Sequence, residues 1–246
     1  MTIINALKKN TPESVKKIIR PIRNLFREKY SSELSFWKGR FEVDNGQFMN
    51  SYYERIFLAM AQETTGEFLE KKVIADFGCG PRGSLAWVTS ASLKIGIDVL
   101  TDQYADEFKD NITSHGMIYL KSTERVIPLP PNFVDIMFTL NAMDHTNNFS
   151  IMCHEILRVM KPGAEFIGSF NMEENATLCE PQKLNEKMIE EHLLSKLEVQ
   201  SYRITEKGPK TDPHAFLQYA PFFNNNLSYR PGKEGFLWVR ARKPKI

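Results

Sequence analysis

Short apolar runs separated by stretches of helical period dominate the middle of this chain. Residues 73–77, 93–99, 117–120, 134–140 and 164–170 each read as a buried strand of four to seven residues. Residues 147–160 carry Ile151, Ile156, Leu157 and Met160 at helical spacing, and Lys161-Pro162-Gly163 ends that helix. Strands alternating with helices predict a parallel sheet covered on both faces. The tail breaks the rhythm. Residues 184–197 read as a helix. Residues 197–205 and 236–241 read as two strands joined by a long, Pro- and Asn-rich loop without a helix, so they should pair antiparallel. At the other end, Thr11-Pro12-Glu13 reads as a helix start. Val15, Ile18, Ile19, Ile22, Leu25 and Phe26 follow at helical spacing, and Pro21 should kink or break the segment. A further helix is expected over 48–69, with Tyr52, Tyr53, Ile56, Phe57, Met60 and Phe68.

The expected architecture is therefore α/β: a Rossmann-like sheet of seven strands, mostly parallel with the last strand antiparallel, helices on both faces and an N-terminal helical cap. Residues 1–69 form the basic arm and cap, and 70–246 the main domain. With 246 residues, 42% of them hydrophobic, the chain can bury a sizeable core. No long apolar window predicts a spanning helix, and no apolar leader opens the chain. Cys79, Cys153 and Cys179 are scattered and odd in number, which points to a reducing, cytoplasmic setting. No Cys/His cluster has zinc spacing, and no carboxylate cluster can be assembled from spacing alone, so no metal is expected. The net charge of +2 is uneven. Residues 1–30 hold eight basic and two acidic side chains, a net +6, and the other 216 residues hold −4. This arm could dock peripherally on an anionic membrane. A nucleic-acid role is not expected, since the charge is local and no recognition motif accompanies it.

The chemistry concentrates in Val73-Ile-Ala-Asp76-Phe-Gly78-Cys79-Gly80-Pro-Arg-Gly83-Ser84. A strand runs into a tight glycine turn and, on this reading, into a helix whose N-terminus offers free N–H groups. Asp98 ends the next strand, where a carboxylate can accept hydrogen bonds from ribose hydroxyls. Gly78-x-Gly80-x-x-Gly83 also satisfies the dinucleotide fingerprint, with Asp98 twenty residues beyond Gly78. Three features weigh against a dinucleotide. Asp76 would repel a pyrophosphate but suits a ligand bearing an ammonium group. Pro81 removes a donor from the turn. The antiparallel tail is more than a dinucleotide domain needs.

In this order the blocks resemble class I S-adenosylmethionine-dependent methyltransferases, of the methyltransferase type 11 kind. Asp98-Val99-Leu100 resembles the acidic strand end that holds the ribose. Ser122-Thr123-Glu124 with Ile127-Pro-Leu-Pro130 resembles the stretch flanking adenine. Phe133-Val-Asp-Ile, Asn141-Ala-Met-Asp144-His145 and Glu155 through Gly163 resemble the fourth strand, its loop and the helix into the fifth. The likeness is good over residues 70–171. Two departures stand out: a glycine turn one residue longer than the common form, and Ser122 where relatives often place an acid. The longer turn is familiar among bacterial, glycan-associated relatives.

The resemblance implies S-adenosylmethionine as cofactor, with Asp76, Gly78, Cys79, Gly80, Asp98, Val99, Thr123, Glu124 and Asn141 as cofactor-binding residues. His145 and Asp144 are the catalytic candidates, His145 the better-placed base. The plainer alternative is that both brace the loop or line the cofactor. His214, in the long loop before the last strand, is a further candidate with an ordinary exposed histidine as its alternative. Cys79 should pack and not react. The acceptor implied is a small molecule or sugar, methylated at oxygen. An NAD-dependent oxidoreductase, a non-catalytic cofactor-binding protein and a protein methyltransferase remain as competing readings.

Overall fold

A computed structural model describes residues 13–209 and 217–245, with side chains from residue 27. Seven strands form one sheet: β1 (Val73–Phe77), β2 (Leu93–Asp98), β3 (Ile118–Lys121), β4 (Val134–Leu140), β5 (Met160–Met172), β6 (Glu198–Glu206) and β7 (Gly235–Arg242). Their order is β3-β2-β1-β4-β5-β7-β6. The first five pair in parallel, and β7 lies antiparallel between β5 and β6. This is the expected architecture. The strand order reverses between β1 and β4, which opens a crevice at the carboxyl ends of those strands.

The central strands are buried on both faces, as the apolar runs predicted. Ala75, Phe77, Met137, Phe166, Phe170, Leu237 and Val239 point to one side, where α5 (Phe149–Val159) and α6 (Glu186–His192) cover them. Ile74, Ile136, Phe138, Ile167, Phe236 and Trp238 point to the other side. There they meet Tyr53, Ile56, Phe57 and Met60 of α2 (Tyr52–Ala61). Phe57 and Phe138 stack with ring centroids 4.8 Å apart.

Four expectations are corrected. No helix follows the glycine turn: residues 78–92 run to β2 through turns and bends. Pro81, Gly83 and the cluster Thr89-Ser90-Ala91-Ser92 break any helical run, and Leu85 and Val88 pack directly beside α2 instead. The N-terminal helix α1 (Glu13–Val43) runs through Pro21 and on for two further turns past Phe36, making 31 residues. Its C-terminal half packs with Phe48, Tyr104, Phe108 and Ile112, and Tyr104 and Phe108 belong to α3 (Thr101–Glu107) and its C-cap, Ile112 to α4 (Lys109–Ser114). That packing sustains the helix beyond its proline. The helix expected over 48–69 is only Tyr52–Ala61, stopped by Gln62 in the left-handed region. The loop before β7 does hold a helix, the single turn α7 (Ala220–Phe223), because Phe222 stacks on Trp238 at 3.8 Å between centroids. His214 lies outside the described residues.

Candidate active site

Beneath α1, at the carboxyl ends of β1, β2 and β4, lies a cavity of about 590 Å³. Its floor is the glycine turn. Gly78 (φ +72°), Gly80 (φ +57°) and Gly83 (φ +76°) all take backbone conformations that other residues avoid. A Cβ on Gly78 would stand 2.1 Å from that of Ala142, and one on Gly80 2.6 Å from the Trp37 ring. The turn thus brings bare backbone against both the β4 loop and the roof.

Two carboxylates flank it. The hydroxyl of Ser84 donates to Asp76 Oδ2, and Asp76 Oδ1 is buried without a hydrogen-bond partner. Burial, opposed by the Ser84 bond and helped by nearby Asp98, pushes the Asp76 carboxyl up to about 7. Asp98 accepts from Gly80 N at 3.1 Å through one oxygen and from Leu100 N at 2.9 Å through the other. Burial pushes it up to about 6 against those bonds. Each of its oxygens keeps a lone pair for a further donor.

The remaining expected cofactor residues differ in what they offer. Val99 lines the cavity half-buried. The Cys79 thiol packs 2.7 Å from where a Gly96 Cβ would lie, and burial pushes it up, so only its backbone faces the cavity as a polar group. Thr123 lines the cavity, but its Oγ1 accepts from Arg125 N and Val126 N at 3.2 and 3.0 Å. Glu124 is engaged: Tyr30 Oη donates to it at 2.8 Å, Asn147 N at 3.0 Å and Lys29 Nζ at 3.3 Å. Asn141 (φ +50°) accepts from Ser169 Oγ at 2.6 Å and donates to Tyr219 Oη at 3.2 Å. Tyr219 comes from the tail, ahead of α7, and no local pattern announces it.

The β4 loop carries the catalytic candidates in a single 3₁₀ turn, Met143–His145. Asp144 is 2% exposed. Its Oδ2 accepts from Asn171 Nδ2 at 2.7 Å, while Oδ1 is buried without a partner. Burial pushes its carboxyl up to about 6 against the opposing pull of His145. His145 lies between two acids, with Nδ1 3.2 Å from Glu33 of α1 and Nε2 3.7 Å from Glu180 of the β5–α6 segment. Burial would lower its pKa, but the Glu33 hydrogen bond and the charges of Glu33, Asp144 and Glu180 outweigh that and raise it to about 9. Deeper along the same wall, Lys207 pairs with Glu174 at 2.5 Å and donates to Asn171 Oδ1 at 2.9 Å.

The roof is α1, through Lys29, Glu33, Phe36, Trp37 and Arg40. Lys29 is 4% exposed and donates to the carbonyl of His145, to Asn147 Oδ1 and to Glu124. The sequence predicted a helical cap here, but nothing in the pattern pointed to Glu33 or Glu180. Arg82, within the glycine turn, was also passed over. It is buried against Asp44 at 3.0 Å and lines the cavity beside Tyr52.

The cavity fits S-adenosylmethionine on its own terms. Asp76 offers an unpartnered buried carboxylate oxygen to an ammonium group. The bare turn admits a ligand where any Cβ would clash, and Phe77, Ile97, Leu140 and Met152 give apolar walls.

Residues 75–168 match a family described as a methyltransferase domain. No curated protein sequence matches the chain. Among solved structures, a putative sarcosine dimethylglycine methyltransferase from Galdieria sulphuraria is 12% identical, with a TM-score of 0.61 over 86% of this chain and 99% of its own. A putative S-adenosylmethionine-dependent methyltransferase from Listeria monocytogenes is 15% identical, at 0.51 over 75% and 95%. The [4+2]-cyclase SpnF is 19% identical, at 0.55 over 78% and 81%. At such identities these structures share the fold and nothing finer. The family match and the structures named above give no support to a dinucleotide oxidoreductase. Residues 75–168 are thus a methyltransferase domain within a Rossmann-like methyltransferase fold, which implies S-adenosylmethionine as cofactor.

Proposed function

We propose that the enzyme methylates an oxygen of a small-molecule or sugar acceptor held under α1. The carrying observation is the polar wall of His145, Asn171, Glu180 and Tyr219, behind which Asp144 is buried, bonded to Asn171 through Oδ2 and with Oδ1 unpartnered. A hydroxyl-bearing acceptor supplies a donor that such a wall, rich in acceptor oxygens, can take.

In this reading Asp76 takes the ammonium of the cofactor, and Asp98 the ribose hydroxyls. Gly78, Cys79 and Gly80 contribute backbone, and Val99, Thr123 and Asn141 line the walls. The bound cofactor supplies an activated methyl group, so the protein mainly orients and dehydrates the acceptor. Asp144, directly behind that wall, is the stronger candidate to take the acceptor's proton, because its carboxyl is pushed up to about 6 and its Oδ1 is buried without a hydrogen-bond partner. His145, cationic at neutral pH between Glu33 and Glu180, positions the loop. Glu124, fully engaged by Tyr30, Lys29 and Asn147, anchors α1 and does not reach for adenine. In their described parts, residues 1–69 act as a cap over the domain formed by 70–246. Among the described residues no helix is long and apolar enough to cross a membrane. Peripheral docking by residues 1–30 remains a proposal carried by their charge alone.

The test is an acceptor screen with isotopically labelled S-adenosylmethionine, followed by NMR of the product. A methyl ether supports the reading. An N-methyl or C-methyl product overturns the oxygen assignment.

A further inference from the structure

The fold brings together three side chains that the sequence keeps apart. Asp144 and His145 stand on the β4 loop, and Glu180 comes from the segment between β5 and α6. One oxygen of each acid and one imidazole nitrogen lie within 4.8 Å of one another. Such proximity alone is common among acids, but here each neighbour is arranged for more than repulsion.

The imidazole is oriented from behind. Glu33 meets Nδ1 at 3.2 Å, which leaves Nε2 directed toward Glu180 at 3.7 Å. A carboxylate on the far nitrogen is the arrangement that fixes the tautomer and ring plane of a metal-binding histidine. Asp144 is supported likewise. Asn171 donates to Oδ2 at 2.7 Å and leaves Oδ1 buried without a partner. Asp144 is 2% exposed, so that orphaned oxygen has no water to turn to. A cation beside it removes the cost of its burial.

We propose that Asp144, His145 and Glu180 form a divalent-cation site in the cavity wall, where His145 and Glu180 face the cavity and Asp144 is buried behind them. One nitrogen and two carboxylate oxygens make a mixed donor set, which suits a first-row ion such as Mn²⁺ better than an all-oxygen cage for Ca²⁺. Three protein ligands leave coordination positions open toward the cavity. On the reading of an oxygen acceptor given above, on which this role rests, those positions take the acceptor's hydroxyl and lower its pKa. With Asp144 held as a ligand, the hydroxyl proton leaves to solvent, the oxygen forms its bond to the methyl group, and the S–CH₃ bond of the sulfonium breaks to release S-adenosylhomocysteine.

The test uses the full chain, stripped with a chelator and titrated calorimetrically with MnCl₂. S-adenosylhomocysteine affinity in the same preparation reports the fold. One Mn²⁺ per chain is expected. Glu180→Gln, on a half-exposed segment, should weaken that binding by about tenfold or more, and Asp144→Asn by at least as much. The ¹⁴N coupling in the Mn²⁺ spin-echo spectrum should vanish in His145→Gln. No uptake of Mn²⁺, Zn²⁺ or Mg²⁺ at millimolar concentration by a chain that binds S-adenosylhomocysteine overturns the site, and assigns the cluster to an ion pair of His145 with Glu33 and Glu180. Uptake untouched by Glu180→Gln overturns it as well. The titration needs no acceptor, so its failure leaves the methyl-transfer reading standing. Failure of every acceptor with Mn²⁺ bound as expected does the reverse.

Discussion

At the scale of single residues, the site is built from groups placed at a cost. Asp76 illustrates this. Its folded value near 7 lies above its unfolded value near 4, so the folded chain binds more protons between those limits. Stability contributed by that group is therefore lost as pH rises from about 4 to 7, and the whole cost is present above 7. Three pH units correspond to at most about 4 kcal/mol, since Asp98 shares in the shift. Asp76→Asn should raise the melting temperature of the ligand-free protein at pH 8 by about 4–10 °C and flatten its pH dependence. The same change should weaken S-adenosylhomocysteine binding at least tenfold. A variant that gains neither stability nor loses affinity contradicts the role proposed for Asp76. For the acceptor end, Asp144→Asn should cut kcat about 100-fold with cofactor affinity held, whereas His145→Ala should act more evenly on both. Steady-state kinetics beside calorimetry separates the two, and the opposite pattern restores His145 as the base. That Asp76, Asp98, Gly78 and Gly80 line one cavity was legible in the sequence, because the glycine turn and the two strand ends beside it are set by short spacing. Glu33, Glu180 and Tyr219 were not, because only long-range packing brings them to the cavity.

At the scale of elements, the strands were the most readable part: β1 and β4 fall where their apolar runs stand. A buried strand is a local pattern with both faces apolar, so sequence reports it directly. The turn after β1 was misread as leading into a helix, since glycine-rich turns of this type usually do. Here Pro81 and Gly83 prevent it, and α2 occupies the corresponding face. Gly78→Ala probes the turn itself. The added Cβ meets Ala142 at 2.1 Å on a backbone with φ +72°, so the variant should lose more than about 2 kcal/mol in urea unfolding. The double variant Gly78→Ala/Ala142→Gly should recover only the steric part. The roof offers a second test. Lys29, Glu33 and Tyr30 fasten α1 to the β4 loop and to Glu124. Tyr30→Phe with Glu33→Gln should speed dissociation of S-adenosylhomocysteine about tenfold in stopped flow, with a smaller effect on association. Unchanged dissociation would mean that α1 does not gate the cavity.

At the scale of the whole molecule, the N-terminal segment belongs to the enzyme's working structure. Phe48, Leu100, Tyr104, Phe108 and Ile112 form a satellite core with Leu34, Trp37 and Phe41 of α1. Charge showed that residues 1–30 differ from the rest, and the helical pattern pointed to a cap. That the helix runs on to Val43 and closes the cavity could not be read locally, because Pro21 argues for a break. The central claim, a class I methyltransferase site beneath that helix, is tested most directly by calorimetric titration of the full chain with S-adenosylhomocysteine and, in parallel, with NAD. Micromolar or tighter binding of S-adenosylhomocysteine, weakened by about ten- to a hundredfold in Asp98→Ala and absent for NAD, is the predicted result. Binding of NAD alone, or S-adenosylhomocysteine affinity indifferent to Asp98→Ala, would contradict it.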